Sequence, residues 1–294
     1  MQAEAAPPKS WTIASLVKWA VEDFRTRGIE NPRLDAELIV AHALGIDRTR
    51  VIIDGNRPLE GAELVKLREL VKRRRAHEPI AYLRGHREFY GLQFRVDRRV
   101  LIPRPDTEAL VDVALTRSQH VSLSMRMLDL CTGSGCVAIS VARQRPTSKV
   151  IASDLSADAL SVARDNAYRL GAYNVAFVES DLFASANLRG PFDVITANPP
   201  YIVTSEIETL QPDIKDFEPR LALDGGSDGL DLVRRIVDAA PNHLVPGGVL
   251  ALEIGMGEAD ATKALLEARG FSEVRADRDY AKIERVVSGV FAAR

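Results

Sequence analysis

An α/β fold with a mostly parallel sheet, preceded by a small helical domain, is predicted by two features of the sequence. From Met125 onward, short apolar runs typical of buried strands alternate with helical patterns, and this alternation is characteristic of a doubly wound sheet. Before Pro79, apolar residues recur at helical spacing. We therefore expect residues 1–85 to form a helical domain, 86–104 a β-hairpin linker and 105–294 an α/β domain.

Three helices are predicted in the first domain. The first has an apolar face from Ile13 to Phe24. The second spans 34–44 and follows Asn31-Pro32, a pair typical of an N-cap and a first helical turn. The third spans 59–76 and ends in a basic run, which we interpret as a solvated face because cations favour helix C-termini. A surface that contacts RNA or an acidic partner is the alternative.

Changes in residue pattern after Pro79 predict the next secondary-structure elements. Apolar and aromatic residues flank Gly91 as in a short hairpin, and a helix is expected to begin near 106–108, after Pro103-Arg104-Pro105. The predicted strands of the α/β domain are 125–130, 149–153, 175–179, 193–197 and 249–253, with a terminal pair at 271–276 and 285–291. The predicted helices are 137–145, 157–170 and 230–240.

Composition limits the classes of function. The 294 residues carry a net charge of −2, which argues against a nonspecific nucleic-acid binder. Two cysteines, Cys131 and Cys136, are too few for a disulfide framework and fit a reducing cytoplasm. We expect no membrane association, because no apolar stretch is long enough to span a bilayer, and no metal site is visible in the sequence.

A nucleotide-like cofactor site is predicted at the ends of three strands. Residues 131–135, Cys-Thr-Gly-Ser-Gly, join a strand to a helix with small residues that permit close approach of a ligand. Asp154 ends the second strand, where a carboxylate could accept from ribose hydroxyls. Asp181 and Leu182 follow the third strand, where they could bind an adenine amino group and pack on the ring. Polar loops and a helix N-cap are the alternatives for these residues.

The glycine turn by itself does not separate a dinucleotide from S-adenosylmethionine. Asp129 stands beside the turn and favours S-adenosylmethionine, because a negative charge there would repel the phosphates that a helix N-terminus attracts.

Asn198-Pro199-Pro200-Tyr201 follows the fourth strand and is the most specific motif in the chain. Consecutive prolines end the strand, so the motif lies at the carboxyl edge where open α/β sheets bind ligands. The Asn198 amide oxygen and the Pro199 carbonyl could accept the two hydrogens of a planar NH2 group, and the Tyr201 ring could stack on it. An ordinary Asn-Pro turn is the alternative.

The order of these features resembles the class I S-adenosylmethionine-dependent methyltransferases that act on amide or amino nitrogens. Further segments resemble one family, the peptide chain release factor glutamine methyltransferases. They are 77–85, 88–92, 101–108, 218–226 and 228–230.

The resemblance implies a Rossmann-like catalytic domain, S-adenosylmethionine as cofactor, and a helical domain that recognises release factors. It implies methylation of the glutamine side-chain nitrogen (N5) in their Gly-Gly-Gln motif, by a cytoplasmic enzyme that we expect to be a monomer. Cys131 to Gly135, Asp154, Leu182 and Asn198 would bind the cofactor. Asn198 to Tyr201 would bind the glutamine, and Arg104, Thr107 and Glu108 would support the cofactor side.

The chain departs from the family pattern at four places. Cys131 replaces a frequent glycine, and Asp106 replaces the usual glutamate. Met256 follows Gly255 where a glutamine is usual, and residues 279–285 lack the usual glycine-and-aspartate pattern before Arg285.

Four other functions are compatible with parts of this pattern. An adenine-N6 DNA methyltransferase could use the same motif, but it needs a basic DNA-reading region. A ribosomal-protein glutamine methyltransferase is a closer alternative, against which residues 104–108 argue. An NAD-dependent oxidoreductase would leave Asn198 to Tyr201 unexplained, and the intact motif argues against a binding module that has lost catalysis.

Overall fold

The computed structural model describes residues 10–121, 124–188 and 190–292. Within them the chain divides into two compact units, Met1–Gly85 and His86–Arg294. In the described residues, no helix has both the length and the apolar character needed to cross a bilayer.

The first unit is helical, with a core of aliphatic side chains around the fully buried Phe24. The three predicted helices are present, and two short ones were not predicted. A six-residue helix is too short to show the recurrence of apolar residues at i, i+3, i+4 and i+7. The signal that remains is its cap: the Asp47 carboxylate accepts from the Arg50 backbone N–H at 2.8 Å. The helices of the described part are α1 (Ile13–Thr26), α2 (Pro32–Leu44), α3 (Arg48–Ile53), α4 (Gly61–Arg75) and α5 (Ile80–Arg84).

A buried ion pair joins α4 to α2 inside this unit. Arg74 Nε lies 2.7 Å from an Asp35 carboxylate oxygen, and the two side chains are 5% and 7% exposed. Arg74 also donates to the Glu78 carbonyl at 3.0 Å. The end of α4 is therefore not wholly the solvated face predicted from its basic run, because Arg74 points into the unit and not to solvent.

The second unit contains the predicted hairpin and a twisted sheet. The hairpin strands are β1 (His86–Phe89) and β2 (Leu92–Arg95). The sheet strands are β3 (Arg126–Leu130), β4 (Lys149–Asp154), β5 (Val175–Glu179), β6 (Phe192–Ala197), β7 (Leu244–Glu253), β8 (Phe271–Arg278) and β9 (Glu284–Phe291). In the described chain these seven strands lie in the order β5-β4-β3-β6-β7-β9-β8, and all run parallel except β9, which is antiparallel to both of its neighbours, β7 and β8.

Helices cover both faces of this sheet through two apolar clusters. The helices of the described part are α6 (Glu108–Arg117), α7 (Cys136–Gln144), α8 (Ala157–Arg169), α9 (Pro212–Lys215), α10 (Asp231–Ala239) and α11 (Ala259–Ala268). Two of them, α9 and α11, were not predicted, and α9 is a single turn.

Strand order explains where a ligand can bind. The chain leaves β3 toward β4 on one side, whereas β6 lies on the other side of β3. Such a reversal opens a crevice at the carboxyl ends of the strands. The register pairs Asp129 with Thr196 and Leu130 with Ala197, so the turn after β3 and the motif that begins at Asn198 start side by side.

Removal of one partner of the buried ion pair is expected to destabilise the chain. We expect Asp35→Ala to lower the free energy of unfolding by about 3–5 kcal/mol, because it leaves the Arg74 charge buried without its carboxylate. Glu22→Ala is the matched control, since the Glu22–Arg25 pair is mostly exposed, and we expect a loss below about 1 kcal/mol. Urea unfolding of the full chain measures both, and equal stabilities would contradict the assignment.

Candidate active site

A cavity lies at the carboxyl ends of β3, β4, β5 and β6, within the His86–Arg294 unit. Most of the residues predicted from the sequence line it: Cys131, Thr132, Gly133, Ser134, Asp154, Asp181, Leu182, Asn198 and Pro200. Gly135, Pro199 and Tyr201 are adjacent in sequence to lining residues but are not part of the lining. Gly135 is instead the N-cap residue of α7, with φ at 81°.

The turn after β3 is held by a buried carboxylate. Asp129 is 1% exposed and accepts hydrogen bonds from Thr132 Oγ1 at 2.6 Å and Thr196 Oγ1 at 2.7 Å. Burial raises the pKa of Asp129 to about 6, although these hydroxyls lower it. Because Thr132 lies in the turn and Thr196 lies two residues before Asn198, one side chain connects the two halves of the cavity.

The turn itself requires small residues and unusual backbone angles. A Cβ on Gly135 would lie 2.8 Å from Ile139 Cδ1 and 3.2 Å from Ala163 Cβ, so a side chain would push α7 and α8 apart. Cys131 has φ at 54°, in the left-handed region that favours glycine. Burial raises the pKa of the Cys131 thiol, so it does not act as a thiolate.

The acidic residues after β4 and β5 occupy different environments. Asp154 accepts from the Gly133 N–H at 2.8 Å and the Ser156 N–H at 2.9 Å, and burial raises its pKa. Each carboxylate oxygen has a further lone pair available. Asp181 is exposed and forms an ion pair with Arg235 at 2.8 Å, so a ligand that hydrogen-bonds to Asp181 must share it with this arginine.

The lining fits S-adenosylmethionine. Asp154 provides a carboxylate for ribose hydroxyls, and the buried Leu182 provides an apolar surface for a ring. Ser153 also lines the cavity, and its buried hydroxyl has no hydrogen-bond partner among the described residues. A buried polar atom that faces a cavity without a partner is typical of a site completed by a ligand.

Two of the three residues predicted to support the cofactor side line the cavity, and the third does not. Arg104 and Thr107 line the cavity. Arg104 pairs with Glu218, whose other carboxylate oxygen accepts from the Ile102 N–H at 3.0 Å. Glu108 does not line the cavity and instead accepts from the Tyr90 N–H at 2.8 Å, so it anchors the hairpin to the start of α6.

The side chains after β6 lie next to two residues of other elements: Thr107, which was predicted as a supporting residue, and Glu253, which was not. Asn198 Nδ2 donates to Thr107 Oγ1 at 3.3 Å. Burial raises the pKa of Glu253 to about 7, and the neighbouring Tyr201 side chain lowers it. Glu253 is 1% exposed and is the last residue of β7. No local pattern indicates that its carboxylate lies near the motif, because the two come from segments far apart in sequence.

A second backbone segment, which contains Gly225, lies against the motif. The Gly225 N–H donates to the Ile202 carbonyl at 2.8 Å, and the Ile202 N–H donates to the Leu223 carbonyl at 3.0 Å. A Cβ on Gly225 would lie 2.6 Å from Tyr201 Cα and 2.8 Å from the Pro200 carbonyl oxygen. The glycine is therefore required for this close approach, which fixes the path of residues 200–202.

Residues 279–285, which depart from the family pattern, form a specific set of contacts. Asp279 accepts from the Ile283 N–H at 3.0 Å and the Arg285 Nε at 3.3 Å. Arg285 also donates to the Ile254 carbonyl at 3.3 Å and pairs with Asp106 at 3.5 Å. The aspartate that orients Arg285 thus comes from position 279, and the turn supports the strand that carries Glu253.

Insertion of one methyl group at Gly225 is expected to reduce catalysis. We expect Gly225→Ala to lower the rate of methyl transfer by about 10- to 100-fold, because a small displacement of a reactive site costs this much. The control is Gly61→Ala at the start of α4, where a Cβ meets nothing within 4 Å in the described chain. Steady-state rates of the two purified variants test the expectation, and a Gly225→Ala rate equal to that of wild type would refute it.

Comparison with known proteins assigns both units. Residues 15–85 match the family model of the PrmC N-terminal domain, and residues 107–215 match that of the methyltransferase small domain. A methyltransferase from Pyrococcus furiosus, with 21% identity, superposes with a TM-score of 0.52 over 69% of this chain and 90% of that one. This likeness supports the fold that the sequence predicted, and the family match and the relatives named below confirm S-adenosylmethionine as the methyl donor.

Full-length relatives are more similar. A release factor glutamine methyltransferase of Geobacter sulfurreducens is 43% identical over 96% of this chain and 98% of its own. That of Bordetella pertussis is 44% identical over 88% of this chain and 94% of its own. The chain therefore belongs to the release factor glutamine methyltransferase family.

Proposed function

We propose that this chain transfers the methyl group of S-adenosylmethionine to the side-chain amide nitrogen (N5) of the glutamine in the Gly-Gly-Gln motif of peptide chain release factors. The observation that carries the proposal is the position of Asn198, which lines the same cavity as the glycine turn and Asp154. Family membership supports the choice of substrate, since the relatives above are named for it.

The residues that hold the cofactor are those of the turn and of the two following strand ends. Thr132, Gly133 and Ser134 surround one end of the cavity, and Asp154 and Leu182 provide the polar and apolar surfaces beyond it. When bound, S-adenosylmethionine supplies a strongly electrophilic methyl group. The task of the protein is therefore to position the weakly nucleophilic amide nitrogen.

Positioning is assigned to Asn198 and Pro199. An amide nitrogen has its lone pair delocalised into the carbonyl, and two acceptors that engage its hydrogens favour partial pyramidalisation. The Asn198 side-chain oxygen and the Pro199 backbone carbonyl provide these acceptors. As positive charge grows on the nitrogen, the two carbonyl dipoles stabilise it.

Tyr201 is assigned a supporting role. We assign its aromatic face to stacking on the substrate amide, and its phenol lies near Glu253. Burial raises the pKa of Tyr201, so the phenol remains protonated at neutral pH and does not act as a base. Pro200 contributes to the lining of the cavity.

The helical unit Met1–Gly85 is assigned to recognition of the release factor, because residues 15–85 match the family's N-terminal domain. A net charge of −2 supports a protein substrate over a nucleic acid. The free thiols Cys131 and Cys136 support a reducing cytoplasm, in which the chain acts as a monomer.

Replacement of Asn198 is expected to impair catalysis more than cofactor binding. We expect Asn198→Ala to reduce the rate of methyl transfer by about 100-fold, as for the loss of one oriented polar group, with cofactor affinity nearly unchanged. The matched control is Asn187→Ala, an exposed asparagine outside the cavity lining. Wild-type turnover by Asn198→Ala would contradict the mechanism.

The substrate is tested by transfer of labelled methyl to a purified release factor. We expect label on the wild-type factor and none on a factor whose Gly-Gly-Gln glutamine is replaced by alanine. Persistent label on the replaced factor would refute the assigned position. Label on a ribosomal protein or on DNA in parallel reactions, without label on the release factor, would support the alternative substrates.

A further inference from the structure

Two exposed tyrosines form a pair at the edge of the sheet opposite the catalytic cavity. Tyr168 lies in the last turn of α8, and Tyr173 comes two residues before the start of β5. They are 74% and 79% exposed, and their ring centroids are 6.4 Å apart in a T-shaped arrangement. The cavity lies at the other ends of the strands, so this pair takes no part in the site described above. Two neighbouring aromatic rings left in solvent indicate a contact surface.

Three cations lie beside this pair. Arg143 Nη1 donates at 3.5 Å to a backbone carbonyl of the turn between the two tyrosines. Arg169 follows Tyr168 directly in α8, and Lys149 lines the same hollow as Tyr173. In the part of the chain that the structure describes, none of the three cations forms an ion pair with a carboxylate. We call these five residues the tyrosine surface: Arg143, Lys149, Tyr168, Arg169 and Tyr173.

Hydrogen bonds hold the two segments of this surface together. Asn174 Nδ2 donates to the Ser148 carbonyl at 3.1 Å, and the Val150 N–H donates to the Asn174 carbonyl at 3.0 Å. The turn that carries Tyr173 is thereby tied to the start of the strand that carries Lys149. Groups that are already fixed in place lose little freedom when a ligand binds, which lowers the cost of binding.

Helix geometry explains only part of this surface. Arg143 and Arg169 stand in the last turns of α7 and α8, where the helix dipole favours cations. The dipole explains neither Lys149, which begins a strand, nor the exposed rings. Asp165 on α8 is paired with Arg95 at 2.8 Å and leaves the three cations unopposed. The surface is therefore locally positive, and the net charge of −2 for the whole chain does not determine this local field.

We propose that the tyrosine surface binds single-stranded RNA. The bases of a single strand are free to stack on exposed aromatic rings, and cations beside the rings neutralise its phosphates. An acidic polypeptide would satisfy the cations but would leave the faces of the rings without a planar partner. The choice of RNA over DNA alone rests on the proposed function, because an enzyme that modifies release factors works beside the RNA of translation.

The first test is the salt dependence of RNA binding. A fluorescently labelled oligouridine of about 12 nucleotides, within the usual site size, is titrated with the full chain and followed by anisotropy. Three phosphate contacts predict that Kd rises about 20-fold between about 50 and 200 mM KCl. Lys149→Ala removes one contact, and we expect the rise to fall to about sevenfold. The matched control is Lys72→Ala on α4, an exposed lysine outside the surface, which is expected to keep the wild-type rise.

The second test separates stacking from charge. We expect Tyr168→Ala and Tyr173→Ala each to weaken oligouridine binding about tenfold, the effect of losing one stacked base, with the salt dependence unchanged. Tyr173→Phe keeps the ring and is expected to bind as wild type does. The matched control is Tyr280→Ala, which removes an exposed tyrosine outside the surface and is expected to leave binding unchanged.

Three results would overturn the proposal. They are no measurable binding of oligouridine at about 50 mM KCl, wild-type affinity in both tyrosine-to-alanine variants, and equally tight binding of a polyglutamate of matched charge. Tighter binding of oligothymidine than of oligouridine would overturn the choice of RNA.

Methyl transfer provides an independent measurement on the same variants. We expect wild-type rates for Lys149→Ala, Tyr168→Ala and Tyr173→Ala, because the tyrosine surface lies away from the cavity, and such rates show that the variants are folded. If wild type binds oligouridine as expected but methylates no release factor, the proposed function fails and binding at the tyrosine surface stands. If it methylates the factor but binds no oligouridine, the proposed function stands and this inference fails.

Discussion

The paired hydrogen bonds of Asp129 are the interaction on which the catalytic cavity depends. This buried carboxylate accepts from a threonine of the cofactor turn and from a threonine of β6. It thereby sets the distance between the turn after β3 and the segment that begins at Asn198. Loss of the carboxylate would leave two buried hydroxyls without an acceptor, and each unsatisfied polar group costs about 1–3 kcal/mol.

Around this connection the motif after β6 is constrained from three directions. The strand register aligns its start with the turn, the Gly225 segment contacts the backbone of residues 200–202, and Thr107 and Glu253 lie next to its side chains. Two prolines restrict the backbone further, because their φ angles are locked. A site whose task is to position a weak nucleophile benefits from such rigidity, since preorganisation removes the need to order these groups during reaction.

The sequence predicted the strands and long helices well because their signals are local. Apolar runs and periods identify β3 to β6 and α8, and the glycine turn and Asn198 motif identify the strand ends that form the site. Short helices such as α3 are not predicted because they are too short to show apolar residues at i, i+3, i+4 and i+7. Glu253 and Gly225 escaped for another reason: their roles depend on contacts between residues far apart in sequence. Local pattern likewise could not reveal that the Tyr201 phenol lies near Glu253.

The central claim is that Asn198 presents an oxygen acceptor to the NH2 group of a glutamine. A crystal structure of the chain with S-adenosylhomocysteine and a Gly-Gly-Gln peptide tests it most directly. The account predicts the glutamine side-chain nitrogen about 3 Å from both Asn198 Oδ1 and the Pro199 carbonyl oxygen, with that nitrogen facing the sulfur. A glutamine carbonyl oxygen in that place, with the nitrogen directed away from the sulfur, would contradict the account.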